Sequence, residues 1–276
     1  MDVRLIAFDL DDTLLGSDGM FPEINVRALK ACEARGIRLA LNSGRSFEML
    51  REFAGQLGIR PFILSVNGAR VDEGPDGPTL LERTYDDLHT LAVHAAMRDS
   101  GLYYTSYTRG HTYMGNSAER LRYSRLAHHY AHTARSGNFA YEMVDDEARL
   151  LSEGLKNPYK FVALGGKRDP RFAGILERIA PLNMSISSSR DDNLEVMMPG
   201  VDKGSALKFL ADRLGIPRSQ VMAFGDNTND IPMLSFAGVS VAMENGEPEV
   251  KGAAKWIAPH HAVGGVGKLL YERVLL

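Results

Sequence analysis

Two rhythms of apolar positions alternate along the first seventy residues. Val3 to Phe8 is a nearly continuous apolar run flanked by charge, the pattern of a strand buried on both faces of a parallel sheet. After a Gly/Ser/Asp turn and Pro22, "INVRALKACEARG" spaces Val26, Leu29 and Cys32 at helical intervals and stops at Gly36. Ile37 to Leu41 reads as the next strand. "SFEMLREFAGQLG" reads as the next helix, with Phe47, Leu50, Ala54 and Leu57 on one face and Gly58 closing it, and "PFILSVNGA" as a third strand. Strands alternating with helices of this length make right-handed βαβ units, so the expected fold is α/β, a Rossmann-like doubly wound parallel sheet.

The rhythm breaks at "RVDEGPDGPTLLERTYDDL", where two short strand-like pieces flank a Gly/Pro-rich turn and are expected to lead the chain out of the sheet. From residue 83 to residue 198 the pattern is mixed. A hairpin "LYYTSYTRGHTYMG" turns at Arg109-Gly110, and helices are interspersed with the strands "NPYKFVALGG", "NMSISSSR" and "NLEVMMPG". This predicts an inserted α+β domain. The βα rhythm then resumes with helix "KGSALKFLADRLG", strand "VMAFGD", a short helix from Asn229, strand "VSVAM", a helix near Glu247, strand "KWIA" and a C-terminal helix. The core is therefore expected to be discontinuous, residues 1–82 and 199–276, around an insert of 83–198.

Composition narrows the classes. With 44% hydrophobic and 24% charged residues the chain has the balance of a folded globular protein. Thirty-two basic against 35 acidic side chains, a formal charge of -3, provide no broad positive field for nucleic acid or an anionic membrane. Phosphate recognition, if present, must be local. A single cysteine, Cys32, excludes an intrachain disulfide and a cysteine metal cluster and fits a reducing compartment; with no export signal evident, the cytoplasm is the expected location. No run of about 18 apolar residues offers a membrane span.

Chemistry concentrates where the strands end. In "AFDLDDTLLG", Asp9, Asp11 and Asp12 fall within four positions directly after an apolar run, an arrangement whose repulsion and dehydration a cation would offset. Ligands of open α/β sheets bind beyond the carboxyl ends of the strands. Those ends here carry Asp9 and Asp11, Ser43, Asn67 with Gly68, and Asp226, and Lys203 starts a helix. The set offers a nucleophile, an acid/base, cation-binding carboxylates, a hydroxyl donor and a fixed positive charge, the components of phosphoryl transfer. Each motif alone is ordinarily a turn or a cap; their order along one α/β chain is what distinguishes them.

These motifs resemble those of the haloacid dehalogenase-like superfamily, specifically its Cof-type phosphatases with a type IIB cap. They stand as "DLDDT" (residues 9–13), "NSGR" (42–45), Lys203 in "VDKGSAL", and "GDNTND" (225–230). The resemblance implies that Asp9 attacks phosphorus to form an aspartyl phosphate, while Asp11 protonates the leaving oxygen and then activates water. Two residues apart on an extended segment, both side chains are expected on the same side, with crowding by like charge favouring a protonated Asp11 at the first step. It implies Mg2+ held by Asp9, Asp226 and the main-chain carbonyl of Asp11, and Lys203 sharing the neutralisation of phosphate. Ser43 and backbone N–H groups around Asp11 and Gly44 would hold phosphoryl oxygens. Asn229 and Asp230 would orient Lys203 or metal-bound water, and Arg45, Asn67 and Gly68 would stand on the substrate side.

The implied activity is Mg2+-dependent hydrolysis of small phosphometabolites, sugar phosphates first and flavin mononucleotide or pyridoxal phosphate next, with the inserted cap reading the leaving group. A phosphomannomutase-like phosphotransferase shares the core and would reveal itself by needing a bisphosphate activator. A non-catalytic phosphometabolite-binding protein would be expected to lack Asp11 or a metal aspartate, and both are present. His128 and His132 are spaced one helical turn apart in "RLAHHYAH"; with no third ligand evident, no metal is assigned there. Late in the chain, Asn245-Gly246 and Lys251 keep the family's pattern, whereas "HHAVGGVGK" lacks the acidic residue that often precedes the terminal glycine-rich turn.

Overall fold

The computed structural model describes residues 2–116, 142–144, 146–166, 168–188 and 192–276. His128 and His132 lie outside the described residues. The chain divides into two compact units, Met1–Glu82 with Asp202–Leu276, and Arg83–Val201.

The first unit is built on an eight-stranded sheet. Its strands are β1 (Leu5–Phe8), β2 (Arg38–Asn42), β3 (Phe62–Ser65), β4 (Arg70–Asp72) and β5 (Thr79–Glu82), joined by β12 (Val221–Gly225), β13 (Val239–Met243) and β14 (Trp256–Ala258) from the end of the chain. They run in the order β14-β13-β12-β1-β2-β3-β4-β5. Strands β14 through β3 are parallel, as the βα rhythm predicts. The β4–β5 hairpin does not leave the sheet as expected; it adds to it antiparallel beside β3. A hairpin pattern reports which two segments pair, and is silent about the sheet edge they join. Arg70 and Asp72, both buried, form an ion pair at 2.8 Å under Thr79, with the guanidinium 4.0 Å from the Phe47 ring.

Period-two alternation sorts the central strands onto two hydrophobic faces. Ile6, Phe8, Leu39, Leu41, Met222, Phe224, Val241 and Met243 meet helices α1 (Glu23–Ala34) and α2 (Phe47–Leu57), together with the C-terminal helix (Gly265–Arg273). The opposite face presents Ala7, Ala40, Ala223 and Ala242, and on it packs the helix that starts at Lys203, through Ala206, Leu207, Leu210 and Ala211. Small residues there let that helix approach the strands closely, which brings its first residue to the strand ends.

The inserted unit has its own sheet, ordered β10-β11-β9-β6-β7-β8. These are β6 (Tyr103–Tyr107), β7 (His111–Gly115), β8 (Glu142–Val144), β9 (Lys160–Leu164), β10 (Ser185–Ser187) and β11 (Asn193–Met197). All pairs are antiparallel except β7 with β8. Helices α3 (Asp87–Asp99) and α4 (Arg171–Ile179) cover one face through Val93, Met97, Ile175 and Ile179 against Tyr104, Phe161 and Val196. The other face carries Tyr103, Tyr107, Met114, Val162 and Leu164. The hairpin tyrosines are thus buried on both faces of this sheet, Tyr104 and Tyr113 on one and Tyr103 and Tyr107 on the other. Lys160 and Glu195, on neighbouring strands, form a buried ion pair at 2.8 Å with Lys160 4.7 Å from the Tyr107 ring.

Candidate active site

Asp9 ends β1 and is still tied to the sheet, its N–H donating to the Phe224 carbonyl at 3.0 Å. The chain then swings through a wide turn closed by Leu15 N–H to the Leu10 carbonyl, with Asp12 in the left-handed region at φ 54°. Helix α5 (Lys203–Arg213) delivers Lys203 to the same place. Its N-terminus is fixed by a capping box, Asp202 accepting from Ser205 N–H at 2.7 Å and Ser205 Oγ accepting from Asp202 N–H at 3.2 Å. A Cβ on Gly68 would lie 2.5 Å from the Asp202 carbonyl oxygen and 2.6 Å from Ala206 Cβ, so only glycine lets the Val66–Gly68 turn seat against this helix start. That turn is left-handed at each residue, with φ of 53°, 54° and 91°.

Lys203 Nζ donates to Asp9 Oδ1 at 2.5 Å and to Asp230 Oδ1 at 2.6 Å, all three groups being buried. Asp230 uses its other oxygen to accept from the N–H groups of Asp226 and Asn227, at 2.9 and 3.1 Å, which folds the turn after β12. Gly225 is required there, since a Cβ would come 2.5 Å from Asp230 Cβ. Thr13, the last residue of the DLDDT motif, donates its hydroxyl to Asp226 Oδ1 at 2.6 Å.

The electrostatics are unbalanced. Burial pushes the Asp9 carboxyl well above the usual carboxylate range, with Lys203 opposing and Asp230 and Asp11 adding to the rise. Burial, then Asp9 and Asp230, push Asp226 up in the same way. Burial alone would depress the Lys203 ammonium, but Asp230 and Asp9 outweigh it and hold it above its ordinary value. Among the described residues, one ammonium faces three buried carboxylates.

The donor set fits the hard divalent cation that the resemblance implies. Asp9, Asp226 and Asp230 each offer a carboxylate oxygen, and these lie within 4.8 Å of one another. Hydrogen bonding separates the three. Asp230 has both oxygens engaged, whereas Asp9 and Asp226 each use Oδ1 alone among the described residues. Asp9 and Asp226 are therefore the better candidate ligands, with Asp230 placed to orient Lys203 and the turn.

Ser43 is buried and rigidly tied, its N–H to the Leu64 carbonyl and its C=O to Asn67 N–H, both at 3.0 Å, while its Oγ accepts from Arg45 N–H at 3.3 Å. Gly44 lies against Asn67, whose Oδ1 a Cβ would approach to 3.0 Å. Asn42, the first residue of the NSGR motif, donates to the Lys203 carbonyl at 2.9 Å and so joins the strand end to the helix start. Asn229 Oδ1 is buried with no hydrogen-bond partner among the described residues.

Asp11 differs from expectation. Its carboxylate is half exposed and is gripped by Arg45 through Nε at 2.8 Å and Nη2 at 2.6 Å, so a guanidinium stands against it where a crowd of like charges was expected. Arg45 in turn lies 5.3 Å from the Phe53 ring. Residues 11 and 45 are far apart in sequence, and no local pattern signals the pair.

A family model described as haloacid dehalogenase-like hydrolase matches residues 6–270. The chain is 27% identical over 280 residues to the Bacillus subtilis 5-amino-6-(5-phospho-D-ribitylamino)uracil phosphatase YcsE, covering 100% of this chain and 97% of that protein. It is 28% identical over 264 residues to the HMP-PP phosphatase of Cronobacter sakazakii, covering 90% and 86%. A haloacid dehalogenase-like hydrolase from Bacteroides thetaiotaomicron superposes with a TM-score of 0.81 at 25% identity, covering 98% of this chain and 99% of the other. Among the described residues, no helix is long and apolar enough to cross a membrane.

Proposed function

The chain belongs to the haloacid dehalogenase-like hydrolases, as a phosphatase acting on phosphorylated metabolites, and from that premise we propose that it is a Mg2+-dependent phosphomonoesterase with Asp9 as its nucleophile. Sugar phosphates are the first substrates to consider, followed by flavin mononucleotide and pyridoxal phosphate. The observation that carries the proposal is the buried Asp9–Lys203–Asp230 chain with Asp226 beside it, an excess of carboxylate that a bound divalent cation would offset.

In the proposed reaction an oxygen of Asp9 attacks phosphorus, and the bond from phosphorus to the leaving oxygen breaks. Asp11, once protonated and released from the Arg45 guanidinium, gives its proton to that oxygen. Asp11 then takes a proton from water, which attacks the aspartyl phosphate, breaks the bond to Asp9 and releases inorganic phosphate. Lys203 holds Asp9 in one orientation for attack and offsets phosphoryl charge, while Ser43 Oγ is available as a donor to a phosphoryl oxygen. Asp9, Asp226 and the main-chain carbonyl of Asp11 would hold Mg2+, which supplies Lewis-acid stabilisation of the phosphoryl group. Recognition of the leaving group is assigned to the inserted unit, residues 83–201.

The test is phosphate release from sugar phosphates, nucleotides, flavin mononucleotide and pyridoxal phosphate, with Mg2+ or chelator, for wild type and Asp9→Asn. Chelator-sensitive release that the variant lacks is expected. Release that survives in purified Asp9→Asn overturns the mechanism. The YcsE relative, whose named substrate carries its phosphate on a ribityl chain, supports placing sugar-like monoesters first.

A further inference from the structure

The turn that carries Asp11 leaves main-chain carbonyls unpaired by the sheet, and side chains from three separate parts of the first unit take them up. Asn245 Nδ2 donates to the Asp12 carbonyl at 2.8 Å, Asn25 Nδ2 to the Leu14 carbonyl at 2.9 Å, and His261 Nδ1 to the Leu15 carbonyl at 2.7 Å. The donors are themselves tied down. Asn245 Oδ1 accepts from His261 N–H at 3.0 Å, and Asn25 Oδ1 accepts from Gly267 N–H at 2.7 Å. Asn25 and His261 are buried. With Nδ1–H given to Leu15, His261 points Nε2 toward Asp12, 3.6 Å from Oδ1. The bonds to the Leu14 and Leu15 carbonyls are buried, where an acceptor left without a donor is costly, while the Asn245 bond to Asp12 lies at the surface and adds a fixed donor direction there; together the three side chains hold the turn in this shape.

We propose that Asn245 and His261 are positioning residues for Asp11, acting through the backbone of residues 12–15 without touching the phosphoryl group. The inference rests on the phosphatase reading, in which Asp11 protonates the leaving group. Asp12 sits at φ 54° next to Asp11, and Asn245 fixes the carbonyl of that residue; His261 fixes the end of the same turn. The turn reaches the metal-binding side too, through the Thr13 hydroxyl on Asp226 and the main-chain carbonyl of Asp11, so the comparison of esters is made at saturating Mg2+, where a weakened metal affinity drops out and the orientation of the Asp11 carboxyl is what differs.

The two roles have distinct kinetic signatures. An alkyl phosphate expels a strongly basic alkoxide and needs the proton of Asp11, whereas p-nitrophenyl phosphate expels a stable phenolate and does not. The experiment compares kcat/KM for p-nitrophenyl phosphate and for the best alkyl phosphate of the panel, in wild type, Asp11→Asn, Asn245→Ala, His261→Leu and His261→Asn, with melting curves as a check of folding. Asn245→Ala and His261→Leu are expected to lower kcat/KM for the alkyl ester roughly 10- to 100-fold, as a displaced catalytic group does. They should leave the aryl ester within a few-fold of wild type, in the direction that Asp11→Asn sets. His261→Asn, which keeps a donor near the Nδ1 position, is expected to recover most of the loss. Asn245 is only partly buried, so its variant carries the test if His261→Leu does not fold. Equal losses on both esters, or no loss on either, overturn the inference while wild-type release upholds the phosphatase reading. Absence of release by wild type overturns both.

Discussion

The two units bury charge in opposite ways. In the inserted unit, buried Lys160 meets Glu195 at 2.8 Å on a neighbouring strand, and Asn193 Nδ2 donates to the second carboxylate oxygen at 3.2 Å. In the first unit, Lys203 is shared between Asp9 and Asp230 while the Asp226 carboxylate accepts only from the Thr13 hydroxyl among the described residues. Arg70 with Asp72 gives that unit a balanced pair as well, remote from the strand ends. Balanced buried charge is consistent with architecture; an unbalanced set of carboxylates is a reserve held for a ligand.

The largest effect that would break this contrast is catalytic. Asp9→Asn is expected to reduce phosphate release by about four orders of magnitude or more, to background, while its melting temperature stays at or above that of wild type. A variant that unfolds would mean that the cluster is architectural after all.

The next effect is on stability. Glu195→Ala takes from buried Lys160 the carboxylate at 2.8 Å and is expected to cost about 3–5 kcal/mol in urea unfolding, whereas the double variant Lys160→Met/Glu195→Leu should recover most of that. A cost of only ~1 kcal/mol or less for the single change would place the pair with surface salt bridges and remove the contrast.

Smaller effects sharpen the comparison through pH, and the two units should respond in opposite senses. Asp9 and Asp226 have carboxyls raised by burial, so between the ordinary carboxylate range and their raised values the folded chain holds more protons than the unfolded one. Metal-free protein is therefore expected to lose stability as pH rises through that window, added Mg2+ should oppose the loss, and Asp226→Asn should flatten it. In the inserted unit burial, with Arg98 adding to it, holds the His94 imidazole below its ordinary value, beside the Tyr104 hydroxyl at 2.9 Å. The unfolded chain binds the extra proton there, so stability should fall as pH drops below the ordinary histidine range, and His94→Gln should abolish that dependence. Melting temperatures across pH in chelator and in Mg2+ read both arms.

The continuous apolar run from Val3 to Phe8 was enough to place β1 between two hydrophobic faces, and helical spacing in α1 and α2 was enough to place their apolar sides. Such signals are local, and local signals survive in a single sequence. The gathering of Asp9, Lys203, Asp226 and Asp230 was legible for a different reason, because short motifs at successive strand ends converge once the sheet is wound. Contacts between residues distant in sequence and ordinary in type were not legible. Nothing in "NSGR" says that Arg45 will take hold of Asp11, and nothing in α1 or in "APHHAVGG" marks Asn25 or His261 as donors to carbonyls of the Asp11 turn. The hairpin of β4 and β5 failed in the same way, since its pairing was local and its choice of sheet edge was not.

The separation of Asp9 from Lys203, 194 residues along the chain, also sets a schedule. At about 5–20 residues per second of synthesis, Asp9 leaves the ribosome roughly 10–40 s before its ammonium partner exists. The contiguous segment 83–201 is complete before the helix of Lys203 begins, so on a nascent chain it can acquire its own structure while the first strand still waits in solvent. Until that helix emerges, Asp9 is an ordinary hydrated carboxylate, and the acidity that marks the finished centre belongs to the last stage of the protein's birth.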